Sequence, residues 1–395
     1  MKQSPLPLPP PILCSEENSF ARYTIANRLP AILKKIIKNN HFSPRINENL
    51  ERLQGEIFTG KIRGIASDGG ADLEDWENYI QPFKNKSWFD VPFYFIEAYF
   101  YRRILEATEY FQNGEAIDPF TISKQEGLRS HLDSIRNILQ SSQKLTGLFH
   151  GVLWGNRADL SLWKVGGSDR DSFDFDPQQD NILVDDTTKI LERLAKMQRE
   201  RIDFIIDNAG FELTCDLLLC DRLLQEEIAE TIVLHLKADP IFVSDATIAD
   251  VNYTIHIFAE DEFEEMRSLS ARLQNYLASG ALVLQSDRFW NSPLAFWEMS
   301  DRLTKELEKA SLVFIKGDAN YRRLLGDRHW DCTDSFSQIT HYFPASFVAL
   351  RTLKSEIVVG LQSAKIDRLD RQNPQWKIDG SRGVIQFVEI NRNST

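Results

Sequence analysis

Apolar residues recur at spacings of three and four through "NSFARYTIANRLPAILKKIIKNN", "VPFYFIEAYFYRRILEATEYFQ" and "EGLRSHLDSIRNILQSSQKLTGLFHGVLWGN". That period places them on one face of a helix, so residues 21–150 are expected to form a helical region with almost no strand. Ahead of it, prolines break up "MKQSPLPLPPPILCSEENSF" and leave no apolar stretch for a secretion signal. Residues 1–20 therefore read as an extended, mobile tail. The pattern changes at "KVGGSDRDSFDFDPQQDNILVDD", where Gly, Asp and Ser dominate and a loop or irregular excursion is expected.

Beyond residue 185 two periods alternate. Short apolar runs in "DFIIDNAG", "TIVLHLK", "ALVLQSD", "SLVFIKGD" and "SFVALRT" read as strands. Helix-like segments such as "TTKILERLAKMQRERI", "FELTCDLLLCDRLLQEEIA" and "DEFEEMRSLSARLQNYLASG" separate them. This alternation is the signature of βαβ units around a parallel sheet. Residues 151–395 are expected to form a three-layer α/β/α sandwich with a mostly parallel, Rossmann-like sheet, packed against the helical N-terminal region. The late run "VIQFVEI" is either one more strand or an addition outside the core. No internal repeat is found.

Composition narrows the class. The 395 residues are 42% hydrophobic and 26% charged, too apolar for wholesale disorder and too charged for a membrane protein. A formal net charge of −12 argues against a nucleic-acid binder that works through a broad basic surface. No uncharged apolar run is long enough for a transmembrane helix. Cys14, Cys215, Cys220 and Cys332 give neither a CxxC zinc pattern nor a dense disulfide framework. Cys215 and Cys220 read as small core residues, and a reducing, cytoplasmic compartment is the default.

In parallel sheets, ligands bind outside the carboxyl ends of the strands, near the point where strand order reverses. The residues after each strand-like run are Asp207 and Asn208; Lys237 and Asp239; Asp287 and Arg288; Lys316, Gly317 and Asp318; and Arg351, Thr352 and Lys354. Each has a plain reading: "DN" before a helix is an Asx turn or N-cap, "KGDAN" is a turn, and a lone Lys354 is a solvated surface charge. Together they say more. Carboxylates gathered at one sheet edge repel and are costly to desolvate unless a cation pairs with them. Asp207, Asp318 and the Asn208 carbonyl make a hard, all-oxygen partial shell suited to Mg²⁺ or Mn²⁺. Lys354 and Arg351 could then hold a phosphate, which points to metal-assisted phosphoryl hydrolysis. No GxxxxGK[ST] loop, HExxH helix or GxSxG elbow is present, and the seven histidines lack ligand-like spacing.

The segments "LWGNRADLSLW", "DFIIDNAGFEL", "KADPIFVSDAT", "FIKGDANYRRLLGDRHW" and "ALRTLKSEIVVGL" resemble successive motifs of the damage-control phosphatase family, first catalogued as domain of unknown function 89. "FIEAYFYRRI" matches its helical region, and "RTLK" resembles the RTxK signature of the sugar-phosphate branch, to which the acidic residue methyltransferase proteins belong. The resemblance spans residues 20–365. It implies metal-dependent phosphatase activity with Mn²⁺ foremost and Mg²⁺, Co²⁺ or Ni²⁺ as alternatives. It further implies substrates of the fructose 1-phosphate or fructose 6-phosphate type.

Carried over by motif, Asp207, Asn208 and Asp318 would be metal ligands, with Asp207, Asp318 and Lys354 catalytic. Lys354, helped by Arg351, would bind phosphate. Glu97, Arg102, Trp154, Asn156 and Asp159 would line the substrate side, and Asp245 would touch the sugar. The expected partner is a small phosphorylated metabolite, with no nucleic acid or membrane. Whether Asp207 becomes covalently phosphorylated or a metal-positioned water attacks is left open, with water preferred. The competing function is an S-adenosylmethionine-dependent protein carboxyl methyltransferase, for which no Gly-rich fingerprint follows the first strand. A non-catalytic α/β scaffold is the remaining alternative.

Overall fold

A computed structural model describes residues 6–112, 117–140, 145–155 and 181–390. Its seven-stranded sheet contains β1 (Ile182–Asp185), β2 (Glu200–Ile205), β3 (Ala229–Lys237), β4 (Leu282–Asp287), β5 (Leu312–Lys316), β6 (Phe347–Thr352) and β7 (Gly383–Val388). The spatial order is β1-β7-β6-β5-β2-β3-β4. Strands β2 to β6 are mutually parallel, β7 is antiparallel to β6, and β1 runs parallel to β7. The chain builds outward from β2 through β3 to β4, then returns to β5 and builds outward the other way. The order therefore reverses between β2 and β5, and a crevice forms beyond their carboxyl ends.

Alternation along the central strands divides the core in two. Phe204, Leu312 and Phe314 face one apolar layer, packed under the Phe211–Gln225, Ile248–Ala259 and Glu264–Ser279 helices. Ile205, Val313 and Ile315 face the other, which holds the N-terminal helices including Phe93–Ala107. Both faces are covered, so the central strands read as unbroken apolar runs. The three-layer α/β/α architecture is thus present, with the five expected strands parallel. No helix among the described residues is long and apolar enough to cross a membrane.

Two expectations change, and one alternative left open is decided. Ile182–Asp185, inside the stretch read as a loop, is edge strand β1, because its Ile-Leu-Val run pairs with β7. β7 is the "VIQFV" segment, which pairs with β6 at the edge of the five-strand set, inside the core rather than added to it. The described part of the N-terminal tail, from Leu6 onward, starts extended, as its prolines require, but is fastened down. Ile12 N–H donates to Asp327 O at 3.1 Å, Phe93 N–H to Ile12 O at 2.9 Å, and Cys14 is fully buried. Cys215 and Cys220 are buried in the core, and all four cysteines are free thiols.

Candidate active site

Ile205 of β2 pairs with Ile315 of β5, so the residues that follow each strand emerge side by side. Asp207 and Asn208 leave β2; Gly317 and Asp318 leave β5 and open the Gly317–Leu325 helix. Gly317 has a φ of +82°, and a Cβ built on it would fall 1.9 Å from Asp207 Oδ2. Only glycine meets both demands, the left-handed backbone and the close approach.

Asp207 is buried. Its Oδ2 accepts from Asn208 Nδ2 at 2.7 Å, while its buried Oδ1 has no hydrogen-bond donor among the described residues. Burial holds the carboxyl well above the ordinary carboxylate range, and the charges of Asp245 and Glu212 push it further. Lys237 and Lys316 oppose them. Lys316 Nζ reaches Glu212 Oε1 at 2.9 Å and Asp216 Oδ1 at 3.1 Å; Lys237 Nζ lies 3.2 Å from Asp245 Oδ2. Burial pushes Asp245 up to about 6 against the pull of Lys237. Four carboxylates thus face two ammonium groups. A divalent cation would close that deficit and satisfy Asp207 Oδ1, so the donor set fits a hard metal ion. Among the described residues no three carboxylate, imidazole or thiol groups stand ready in ligand geometry. A cation at this edge would therefore also need carboxamide, water or substrate oxygens.

Asn208 sits at the hub. Its Nδ2 donates to Asp207 Oδ2 and, at 2.8 Å, to Glu212 Oε2, while its Oδ1 accepts from Ser244 Oγ. In this orientation the amide nitrogen, not the carbonyl, faces Asp207; the assignment follows from the hydrogen bonds.

Asp318 is the electrostatic opposite of Asp207. Its Oδ1 accepts from Arg351 Nε at 2.8 Å, Lys354 N–H at 3.1 Å and Ser355 Oγ at 3.1 Å. Burial alone would raise its carboxyl, but Arg351, Arg322 and these donors hold it below the ordinary range. Arg351 is fully buried, with its other donors on Ile357 O and on Ser355 O and Oγ, and its guanidinium 4.4 Å from the Tyr321 ring centroid. It braces the loop that carries Lys354 and presents no face to a ligand. The half-buried Lys354 side chain has no ion pair with any described residue.

Of the expected substrate-side residues, the charged ones that the structure describes are already paired. Glu97 is buried and paired with Arg322, which also grips Asp327 at 2.8 and 2.9 Å. Arg102 is clamped by Asp68 and Asp72 through four hydrogen bonds of 2.7 to 3.0 Å. Trp154 is buried. Asn156 and Asp159 lie outside the described residues. Asp245 belongs to the charge cluster itself: its backbone bridges Asn208, and Ala246 N–H donates to Asp207 O at 2.8 Å.

Glu212, Asp216, Ser244 and Ser355 join the site without a place in the sequence-based set, and Lys237 and Lys316 enter that set only as strand-end residues. A signal for two of them is present. Glu212 and Asp216 are an i, i+4 acidic pair in "FELTCDLLLC", on a helix otherwise apolar enough to be buried all round. A cavity of about 180 Å³ opens beside Asn208 and Glu212, walled by Ser123, Lys124, His131 and Ser244. A cleft of about 1000 Å³ lies elsewhere, between the N-terminal segment and residues 370–379. It is larger, but the smaller one is walled by Asn208, whose amide holds Asp207 and Glu212, and chemistry outranks size.

Comparison with known proteins gives the family and the fold. Residues 24–369 match the damage-control phosphatase ARMT1-like domain. The chain is 31% identical to damage-control phosphatase ARMT1 of Danio rerio, covering 98% of both chains. It is 32% identical to the Mus musculus protein of that name, covering 94% of this chain and 97% of the other, and 33% identical to that of Xenopus tropicalis, with the same coverage. A DUF89 family protein from Pyrococcus horikoshii shares the fold, with a TM-score of 0.50 at 14% identity over 93% of this chain and 97% of that one.

Proposed function

The chain belongs to the damage-control phosphatase ARMT1-like family, and from that premise we propose that it is a metal-dependent phosphomonoesterase acting on small sugar phosphates, of the fructose 1-phosphate or fructose 6-phosphate type. The observation that carries the reading is Asp207 itself, a buried carboxylate with one oxygen unpartnered among the described residues, at the crevice where strand order reverses. Such a group is costly unless a cation meets it.

In this reading Asp207 and Asp245 supply carboxylate oxygens to the cation, Mn²⁺ foremost and Mg²⁺, Co²⁺ or Ni²⁺ as alternatives, with Asn208 beside them. Asp245 is favoured over Asp318 because its charge acts most strongly on Asp207, whereas Asp318 already has its counterion in Arg351. When bound, the cation supplies Lewis-acid polarisation of the phosphoryl group and a more acidic water. Lys354 neutralises the phosphate as a mobile point charge. Asp318 and Arg351 fix the backbone from which Lys354 reaches, and Lys237 and Lys316 keep the surrounding carboxylates in place. Hydrolysis forms a bond from water oxygen to phosphorus and breaks the bond from phosphorus to the sugar oxygen, which leaves as the alcohol with a proton from the water, while Asp207 would act as a ligand.

The test is a panel of phosphorylated metabolites assayed with Mn²⁺, Mg²⁺, Co²⁺ or Ni²⁺, or with EDTA. Phosphate release that needs the metal and disappears in Asp207→Asn and Lys354→Met supports the reading. No release with any metal and any sugar phosphate would sink it.

A further inference from the structure

The segment from Ile241 to Asp245 leads from β3 towards the Ile248–Ala259 helix and contains two consecutive unfavourable backbone positions. Phe242 and Val243 have φ values of +51° and +69°. Left-handed backbone is disfavoured for any residue with a Cβ, and for a β-branched or bulky side chain it is an outlier. Ser244 N–H donates to Phe242 O at 2.8 Å, which makes Val243 the centre of a three-residue turn. With positive φ at its centre, that turn is the rare and strained form.

Strain of this kind persists only where the surroundings over-determine it, and the holders can be named. The Phe242 ring centroid lies 5.1 Å from that of Tyr101 and 5.8 Å from that of Tyr94. Both tyrosines stand on the Phe93–Ala107 helix of the N-terminal layer. On the sheet side, Ala209 N–H donates to Ser244 O at 2.7 Å and Ala246 N–H to Asp207 O at 2.8 Å. Fixed between helix and sheet, the turn delivers Ser244 Oγ to Asn208 Oδ1 and the Asp245 carboxylate to Lys237. Relaxing Phe242 and Val243 to negative φ would rotate the peptide planes on which Ser244 and Asp245 depend.

We propose that Phe242 and Val243 are positioning residues of the phosphatase site: the N-terminal helices clamp a strained turn, and the turn aims Ser244 and Asp245 at Asn208 and Asp207. The inference rests on Asp207 and its neighbours holding the cation. It gives the helical layer a part in the chemistry even though its own charged residues, Glu97 and Arg102, are occupied in ion pairs.

The test compares wild type with Val243→Gly, Phe242→Ala and Phe242→Tyr in three measurements: Mn²⁺ affinity from the free-ion paramagnetic resonance signal, kcat and KM on a hexose phosphate, and thermal melting. Val243→Gly is expected to melt at or above the wild-type temperature, because glycine relieves the strain. It should nonetheless bind Mn²⁺ about tenfold more weakly and lose about tenfold in kcat with little change in KM, the usual size for a residue that orients ligands. Phe242→Ala should share the weaker binding, and Phe242→Tyr, which keeps the ring, should restore it. Unchanged Mn²⁺ affinity and kcat in both Val243→Gly and Phe242→Ala would overturn the proposal. A wild-type protein that neither binds Mn²⁺ nor releases phosphate would overturn the phosphatase reading and this inference with it. Loss of binding in the variants beside an active wild type supports both.

Discussion

Gly317 and Asp207 are fitted to each other so closely that one hydrogen on the glycine Cα is all the space between them allows: a Cβ there would stand 1.9 Å from Asp207 Oδ2. This contact joins the ends of β2 and β5 and sets how near the Asp318 helix comes to the central carboxylate. Gly317→Ala must therefore displace either Asp207 or the start of the helix, on top of roughly 1 kcal/mol for its positive φ. Phosphatase activity is expected to fall at least about a hundredfold, in line with a misplacement of about 1 Å at a reacting centre. Steady-state kinetics with a melting curve would check it, and a variant of wild-type activity would remove Gly317 from the design of the site.

Arg351 and Lys354 lie three residues apart and should fail differently. Arg351→Met removes the counterion from a buried, multiply bonded ion pair with Asp318, so a stability loss of about 3–5 kcal/mol is expected. Lys354→Met removes a charge with no described ion-pair partner, and stability should stay within about 0.5 kcal/mol of wild type. Its effect should appear instead as the loss of phosphate release. Urea denaturation and kinetics on both variants would decide. Equal destabilisation of the two would contradict the division of roles.

Arg102 is a second buried guanidinium, gripped by Asp68 and Asp72. Arg102→Met should cost about 3–5 kcal/mol, because two carboxylates lose their counterion. KM measured well below the melting temperature should remain near the wild-type value. A specific rise in KM with intact stability would instead return Arg102 to the substrate side.

Acid groups other than the cation ligands give the metal-free protein a pH signature. Burial pushes the Asp216 carboxyl up to about 7 and that of Asp239 up to about 6. Between pH ~4, where an unfolded Asp has released its proton, and these higher values, the folded chain binds more protons than the unfolded one. Unfolding free energy contributed by these groups therefore falls as pH rises from about 4 to 7 and levels off above. Asp318 has the opposite sign: its depressed carboxyl contributes stability that is lost only as pH falls below the usual carboxylate range. Urea midpoints in EDTA should decline from pH 5 to pH 7, and Asp216→Asn should flatten the decline. A midpoint that climbs across that window would show that Asp216 and Asp239 do not hold their protons in the folded chain.

Much of the fold is legible because its signals are local. The five parallel strands are runs of β-favouring apolar residues between helical periods, and the rule for ligands at strand ends points to Asp207, Asn208, Lys237, Lys316, Asp318 and Lys354 from the sequence alone. β1 is hidden because its partner lies about two hundred residues away at β7. The tail reads as mobile because proline composition specifies an extended backbone but not what that backbone leans on.

The division inside the site follows the same line. Sequence by itself determined which residues stand at the sheet edge, since a strand's end is written in its own apolar run and in the Gly or Asp that follows. It could not determine which cation meets which carboxylate, because that depends on approach between segments whose separation no local pattern encodes. Only the tertiary structure turned Arg351 inward onto Asp318, enclosed Glu97 and Arg102 in ion pairs, and brought Asp245 beside Asp207. The physical reason is range. Hydrogen-bond propensity and apolar periodicity act within a few residues of the chain, whereas burial and charge act through space and assign each side chain its role only once the chain has folded.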